Sequence, residues 1–242
     1  MNREYLSWYS QRLHRDMELL VFGHAGAKVL VFPTRDGRFW EYEEVGIVNS
    51  LAEKLEAGHL QLYCIEGLAA ETFYGSHRPP AERIRRHAAF EDYILNEVLP
   101  LMAQKNAHDC TIAHGCSLGA FQAASLVFRH PHLFRKLVAF SGRYDLTLQV
   151  ESFRDLFDGY YDNAIYFHTP THFLPGLDCR WRLEKLRQME IVLTIGNADP
   201  FLGNNHYLSR LLAEKQVGHQ LHIWDGRAHR ASAWRKMAPL YI

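Results

Sequence analysis

Short apolar, β-branched runs alternate along this chain with longer segments whose apolar residues recur at helical spacing. That alternation predicts an α/β fold, a mostly parallel central sheet with helices on both faces. Glu18–Phe22 and Lys28–Phe32 read as strands, and Gly23-His24-Ala25-Gly26 between them reads as the turn of a hairpin. Glu43–Ala57 reads as one helix closed by Gly58, and His59–Ile65 as the next strand. Pro80–Gln104 has the period of a long amphipathic helix opened by Pro79-Pro80, with Ile84, Ala88, Tyr93 (or Phe90), Ile94 and Val98 near one face. Further strands are expected at Cys110–His114, Lys136–Ser141, Ile191–Ile195 and Gln220–Trp224. Helices are expected at Leu118–His130, where Pro131 stops the run, at His206–Gln216 and at Ala231–Met237.

Tyr144 to Arg187 breaks this rhythm. It is weakly periodic and carries Phe153, Phe157, Tyr160, Tyr161, Tyr166, Phe167 and Phe173. A long aromatic insertion between strands reads as a lid or pocket wall, or as a packed excursion over the sheet end; the two are compatible. No repeat, low-complexity tract or linker interrupts the rest, so residues 1–242 are expected to form one domain.

Composition narrows the function. Lys+Arg and Asp+Glu both total 27, which argues against a nucleic-acid partner, because a polyanion needs an excess of basic residues. No apolar run approaches the roughly 20 residues of a membrane span, and Met1 to Asp16 lacks the apolar core of a signal peptide. Cys64, Cys110, Cys116 and Cys179 are scattered with no CxxC pair, so free thiols in a reducing cytoplasm are expected. A homo-oligomer stays open.

The sharpest chemical signal is Gly115-Cys116-Ser117-Leu118-Gly119. As a bare G-x-S-x-G string it would arise by chance in about one chain in ten of this length. Its placement between a strand and a helix is what the chemistry requires. A strained turn there lifts the Ser117 hydroxyl above the sheet, and the helix N-terminus faces the reacting carbonyl. The Leu118 N–H is then one oxyanion donor. Cys116, just before the apex, is expected to pack into the sheet.

A serine hydroxyl needs an imidazole base and a carboxylate to orient it, in the chain order Ser, acid, His in this architecture. With 15 histidines in the chain, position has to decide. His229 follows the last strand on a short loop, and Asp199 follows the preceding strand in Gly196-Asn197-Ala198-Asp199-Pro200. Asp225 is the runner-up acid. The second oxyanion donor is expected from Thr34 or Arg35, because Pro33 has no N–H. His114, Tyr74 and Tyr161 are the expected substrate-binding residues. No metal is expected: His168 and His172 have i, i+4 spacing, but Pro170 breaks the helix that would align them.

These pieces resemble the esterase D-like branch of the α/β-hydrolase superfamily, including small bacterial esterases. The likeness rests on Leu30-Val31-Phe32-Pro33-Thr34 with Gly37-Arg38, on Glu71-Thr72-Phe73-Tyr74, and on His87 with Glu91-Asp92-Tyr93-Ile94 and Glu97-Val98-Leu99-Pro100. It continues through His114-Gly115-Cys116-Ser117-Leu118-Gly119-Ala120, Phe140-Ser141-Gly142, Gly196-Asn197-Ala198-Asp199-Pro200 and Trp234-Arg235-Lys236-Met237. Such proteins often carry Asp-Trp after the histidine and Trp where Phe73 stands; this chain has Arg230-Ala231 and Phe73. The resemblance implies an α/β-hydrolase fold with Ser117, Asp199 and His229 as the triad. The expected activity is hydrolysis of a small-molecule carboxylic ester through an acyl-enzyme on Ser117, without a cofactor. Acyl transfer or thioester cleavage by the same triad, and a catalytically idle interaction module, are the alternatives.

Overall fold

The computed structural model describes residues 1–242. Eight strands form one sheet: β1 (Arg3–Ser10), β2 (Arg15–Phe22), β3 (Ala27–Phe32), β4 (Leu60–Ile65), β5 (Thr111–Cys116), β6 (Lys136–Phe140), β7 (Glu190–Gly196) and β8 (Gln220–Trp224). Their order across the sheet is β1-β2-β4-β3-β5-β6-β7-β8. From β4 to β8 every pairing is parallel, while β1 with β2 and β2 with β4 are antiparallel.

The expected hairpin of Glu18–Phe22 with Lys28–Phe32 does not form. β4 lies between the two strands, with Leu19 opposite Ile65 on one side and Val31 opposite Cys64 on the other. The hairpin of this end joins β1 to β2, pairing Arg3 with Phe22 and Ser10 with Arg15. Leu19–Phe22 and Lys28–Phe32 are buried, as they must be for strands covered on both faces, and such continuous apolar runs do not name their partner.

The helices divide between the faces. One face carries α1 (Glu41–Glu44), α2 (Ile47–Ser50) and α3 (Ala52–Glu56), where one helix was expected. Gly46 breaks it, at φ 77°. With the C-terminal helix they enclose a core that includes Tyr42, Ile47, Leu55, Trp234 and Met237. The other face carries α4 (Pro80–Tyr93), which runs through a π-helical turn at Ile94–Val98 into α5 (Leu99–Lys105). Pro100 has no N–H for the α-helical ladder, so the wider turn just before it is a physical consequence of the sequence. Beside these lie α6 (Leu118–Arg129), α7 (Asn163–His168), α8 (Pro170–Phe173), α9 (Arg180–Arg187) and α10 (Leu202–Glu214); α11 (Ala231–Tyr241) closes the first face. Leu118 to Phe128 of α6 are all buried, because α6 is covered by the sheet below and by the 144–187 segment above. Ser125 Oγ donates to the His168 carbonyl at 2.7 Å and Thr171 Oγ1 to the Tyr144 carbonyl at 3.1 Å, which pins that segment down.

The loops that follow β3, β5, β6, β7 and β8 all leave the same end of the sheet, the carboxyl end of its parallel strands. An α/β sheet binds its ligands there. No helix is long and apolar enough to cross a membrane.

Candidate active site

Ser117 connects β5 to α6 in a left-handed conformation, φ 57° and ψ −116°. Its N–H donates to the Phe140 carbonyl at 2.8 Å, which holds the turn while the side chain points away from the sheet. Two glycines make this turn possible. A Cβ on Gly115 would sit 2.3 Å from the Gly119 carbonyl carbon, and one on Gly119 would sit 2.3 Å from the Phe32 carbonyl oxygen. The second contact also lets the loop after β3 approach the start of α6.

His229 Nε2 lies 2.9 Å from Ser117 Oγ, and His229 Nδ1 lies 2.7 Å from Asp199 Oδ2. The ionised Asp199 can only accept, so Nδ1 carries the proton and Nε2 presents a lone pair to the serine hydroxyl. Asp199 is buried; its Oδ1 accepts the Phe201 N–H at 2.9 Å, which fixes the carboxylate plane. Asp225 stands apart, with Oδ1 accepting from Asn197 Nδ2 at 3.2 Å.

His229 is braced from behind. Its ring lies 5.7 Å, centroid to centroid, from Trp234. Trp234 Nε1 donates to Ser141 Oγ at 3.1 Å, and Ser141 Oγ donates to the carbonyl of Ala228, beside His229, at 3.4 Å. Ser141 and Ala228 both hold positive φ, 53° and 49°, so this brace joins two strained corners. Sequence reasoning assigned no role to Ser141 or Trp234; the Ser-Gly pair ending β6 was the available signal.

The three residues expected to supply oxyanion donors differ in what their N–H groups have free. Leu118 is the first residue of α6, so its N–H has no intrahelical partner. Thr34 does not offer its N–H: that group donates to Glu41 Oε2 at 2.8 Å, and Thr34 Oγ1 donates to Glu41 Oε1. The N–H of Arg35 has no acceptor within the chain. Gly37 closes the turn by donating to the Thr34 carbonyl at 3.1 Å, and any side chain there would strike the Glu41 carboxylate. Burial raises the Glu41 pKa, opposed by the hydrogen bonds from Thr34.

A cavity of about 40 Å³ opens beside Ser117, lined by Tyr74, Leu118, Arg143, Leu146, Phe153, Phe201 and His229. Of the residues expected to bind substrate, Tyr74 is part of this cavity wall. His114 is not: it is fully buried in β5, with Nδ1–H donating to the Val138 carbonyl at 2.7 Å and Nε2 accepting from the Tyr42 hydroxyl at 3.0 Å. Burial lowers its pKa to about 4, so it is a neutral core residue. Tyr161 is exposed, absent from the cavity wall, and its hydroxyl is engaged by His172 Nδ1 at 2.9 Å. Cys116 is also buried, and burial pushes its thiol up, which leaves no thiolate to rival the serine.

A larger cavity, about 620 Å³, is lined by Arg129, Phe167, Leu177 and Arg182 among others and holds none of the three converging side chains. Near its wall His87, Glu91 and His168 bring ligand-type atoms within 4.8 Å of one another. The Glu91 carboxylate is already held by Arg129 at 2.6 Å and by His130 at 3.1 Å, so a guanidinium stands where a metal ion would have to compete. His168 and His172 diverge, the first bonding the Ala164 carbonyl and the second Asp145.

This geometry has relatives. Residues 66–237 match the family model described as "Putative esterase", and the chain belongs to that family. It is an esterase of the α/β-hydrolase class, consistent with the sheet and with its structural neighbours. A ferulic acid esterase superposes with a TM-score of 0.77 at 15% identity, covering 98% of this chain and 94% of that one. The S-formylglutathione hydrolase of Staphylococcus aureus superposes with a TM-score of 0.73 at 14% identity, covering 99% and 96%. The enterobactin esterase of Shigella flexneri superposes with a TM-score of 0.65 at 21% identity, covering 97% of this chain and 56% of that one. No curated protein sequence matches significantly.

Proposed function

We propose that the protein hydrolyses small carboxylic esters with Ser117 as nucleophile, His229 as general base and acid, and Asp199 as the group that orients His229. The observation that carries this reading is the unbroken chain from Ser117 Oγ through both His229 nitrogens to Asp199 Oδ2, at 2.9 and 2.7 Å. His229 Nε2 takes the Ser117 proton as Oγ bonds to the ester carbonyl carbon. The carbonyl oxygen, now negative, is held by the N–H groups of Leu118 and Arg35. Collapse of the tetrahedral species breaks the ester C–O bond, and His229 gives its proton to the departing alkoxide. Water then loses a proton to His229, adds to the acyl carbon, and the proton returns to Ser117 as the acid leaves.

Acyl transfer uses the same steps with an alcohol, amine or thiol in place of that water, and thioester cleavage exchanges the alkoxide for a thiolate. Four free cysteines favour the reducing cytoplasm as the site of action. A fluorophosphonate probe tests the catalytic assignment. Wild type should be labelled, and Ser117→Ala should lose both label and turnover of 4-nitrophenyl acetate. Equal labelling of the two proteins overturns it. Measuring product partitioning with added alcohol or amine separates transfer from hydrolysis.

A further inference from the structure

Arg143 is a buried cation with no counter-ion, and it lines the wall beside Ser117. Only 6% of it is exposed. It follows the Ser141-Gly142 corner after β6, and it shares the 40 Å³ cavity with Ser117, His229, Tyr74 and Phe201. Its guanidinium is held in place but not neutralised. Nε donates to the Asp145 carbonyl at 3.0 Å; Nη2 donates to the carbonyls of Leu146, Leu148 and Arg154 at 3.1, 2.5 and 2.7 Å. Nη1 makes no hydrogen bond within the chain and is not sealed off from solvent, and the residue that carries it lines the cavity. The guanidinium carbon stands 5.4 Å from the centre of the Phe201 ring.

The nearby carboxylates are engaged elsewhere. Asp145 Oδ1 accepts from Thr147 and Leu148, and its Oδ2 pairs with His172. Asp155 accepts the N–H groups of Phe157 and Gly159. Asp199 is committed to His229 and Phe201. Arg35 stands 5.0 Å from the centre of the Tyr74 ring and is already paired with Asp36 at 2.8 Å. Burial lowers the Arg143 pKa, opposed only by Tyr74, Asp145 and Asp155 acting at a distance. A cation taken out of water costs free energy unless a partner replaces the lost hydration. Four carbonyls supply part of that, and the Nη1 donors are left without a partner in a side chain that lines the cavity beside Ser117.

We propose that Arg143 forms an anion subsite of the ester site, and that the preferred esters carry an ionised carboxylate a few bonds from the scissile carbonyl. This rests on the Ser117 reading and names the substrate class for it. The guanidinium fork matches a carboxylate geometrically, and in this secluded position the pairing is worth more than on an open surface.

The test uses matched pairs of esters. One pair places the charge on the acyl side, the 4-nitrophenyl half-ester of glutaric acid against 4-nitrophenyl methyl glutarate. The other places it on the leaving side, 4-carboxyphenyl acetate against its methyl ester. Spontaneous hydrolysis is subtracted throughout. In wild type, kcat/KM for the charged member of at least one pair should exceed that for the neutral member by about tenfold or more. Arg143→Gln should bring the two level, while Arg143→Lys keeps part of the difference. A wild-type ratio near one in both pairs overturns the subsite without any variant, so a loss of folding in Arg143→Gln cannot shelter it. A preference that survives Arg143→Gln overturns it as well. Failure of the underlying serine mechanism reads differently, as fluorophosphonate labelling and ester turnover that persist in Ser117→Ala.

Discussion

Gly196 and Arg227 touch where no side chain fits: a Cβ on Gly196 would lie 2.2 Å from the Arg227 carbonyl oxygen. This contact joins the loop bearing Asp199 to the loop bearing His229. Backbone bonds reinforce it, with Asn197 N–H donating to the Trp224 carbonyl at 2.8 Å and Ala198 N–H to that of Gly226 at 3.0 Å. Gly196→Ala must push the two loops apart by part of an ångström, and a displacement of that size at reacting groups costs about 10²-fold in rate. The expected result is a kcat/KM lower by about that factor with secondary structure retained by circular dichroism. Wild-type kinetics in Gly196→Ala would show that the loops can slide without cost to the Asp199–His229 bond.

The brace behind His229 predicts a different kinetic pattern. Trp234→Phe keeps an aromatic ring against the imidazole but removes the N–H that donates to Ser141 Oγ. The rotor at Ser141 and the Ala228 corner it bonds are then less restrained, so His229 loses orientation while the cavity wall is untouched. kcat should fall by about tenfold with KM little changed, and Ser141→Ala should fall alongside it, with the double variant no worse than about either single one. Additive losses would mean that the two residues act separately.

Glu41 supports the oxyanion loop from outside the site. It takes both hydrogen bonds that Thr34 can donate, and so leaves the N–H groups of Arg35 and Asp36 as the loop's free donors, Arg35 being the one expected at the oxyanion. Glu41→Ala should lower kcat by about 10- to 10²-fold, less than or similar to deleting an oxyanion donor outright. Glu41→Gln, which still accepts from Thr34, should recover part of it. Equal losses in the two variants would locate the effect in the charge and not in the loop geometry.

The convergence of Ser117, Asp199 and His229 was legible in sequence because all three sit at strand ends, where turn residues and apolar runs mark position. Ser117 lies between β5 and α6, Asp199 after β7 and His229 after β8, as the alternation of elements requires. The edge of the sheet was not legible. Most of β1 is exposed or half-buried, so it carries little apolar signal, and the other partner of β2 is β4, more than 35 residues further on. The error over Thr34 has the same origin: nothing local shows that Glu41 folds back onto that N–H. His114 was misplaced because adjacency in sequence to Ser117 does not give direction. In a strand, successive side chains face opposite sides, and this one faces the Tyr42 core.

Buried histidines make the fold acid-sensitive in a definite window. His87 packs against Phe73 at 4.5 Å and against His168 at 5.3 Å, with neither ring nitrogen hydrogen-bonded. Burial first, then the neighbouring His168 and Arg129, hold its pKa down to about 3 from 6.5, with Glu91 opposing them. His114 is held at about 4 by burial. Both pKa values are depressed in the folded state, so their stabilisation is present above about 6.5 and is lost as pH falls towards 4 and 3, where only the unfolded chain takes up protons. Glu91 adds a lower window. Burial alone would raise its pKa, but His130 and Arg129 bring it to about 2 from 4.5, and that contribution fades as pH drops below 4.5. Urea midpoints should therefore fall between pH 7.5 and pH 5, above the window in which Glu91 titrates. His87→Leu fills a similar volume without unpaired nitrogens, so it should raise the midpoint at pH 5 and flatten the dependence. An unchanged slope in His87→Leu would assign the acid lability to the other buried histidines, His114 and His168, whose pKa values burial also lowers, and His114→Gln separates those two.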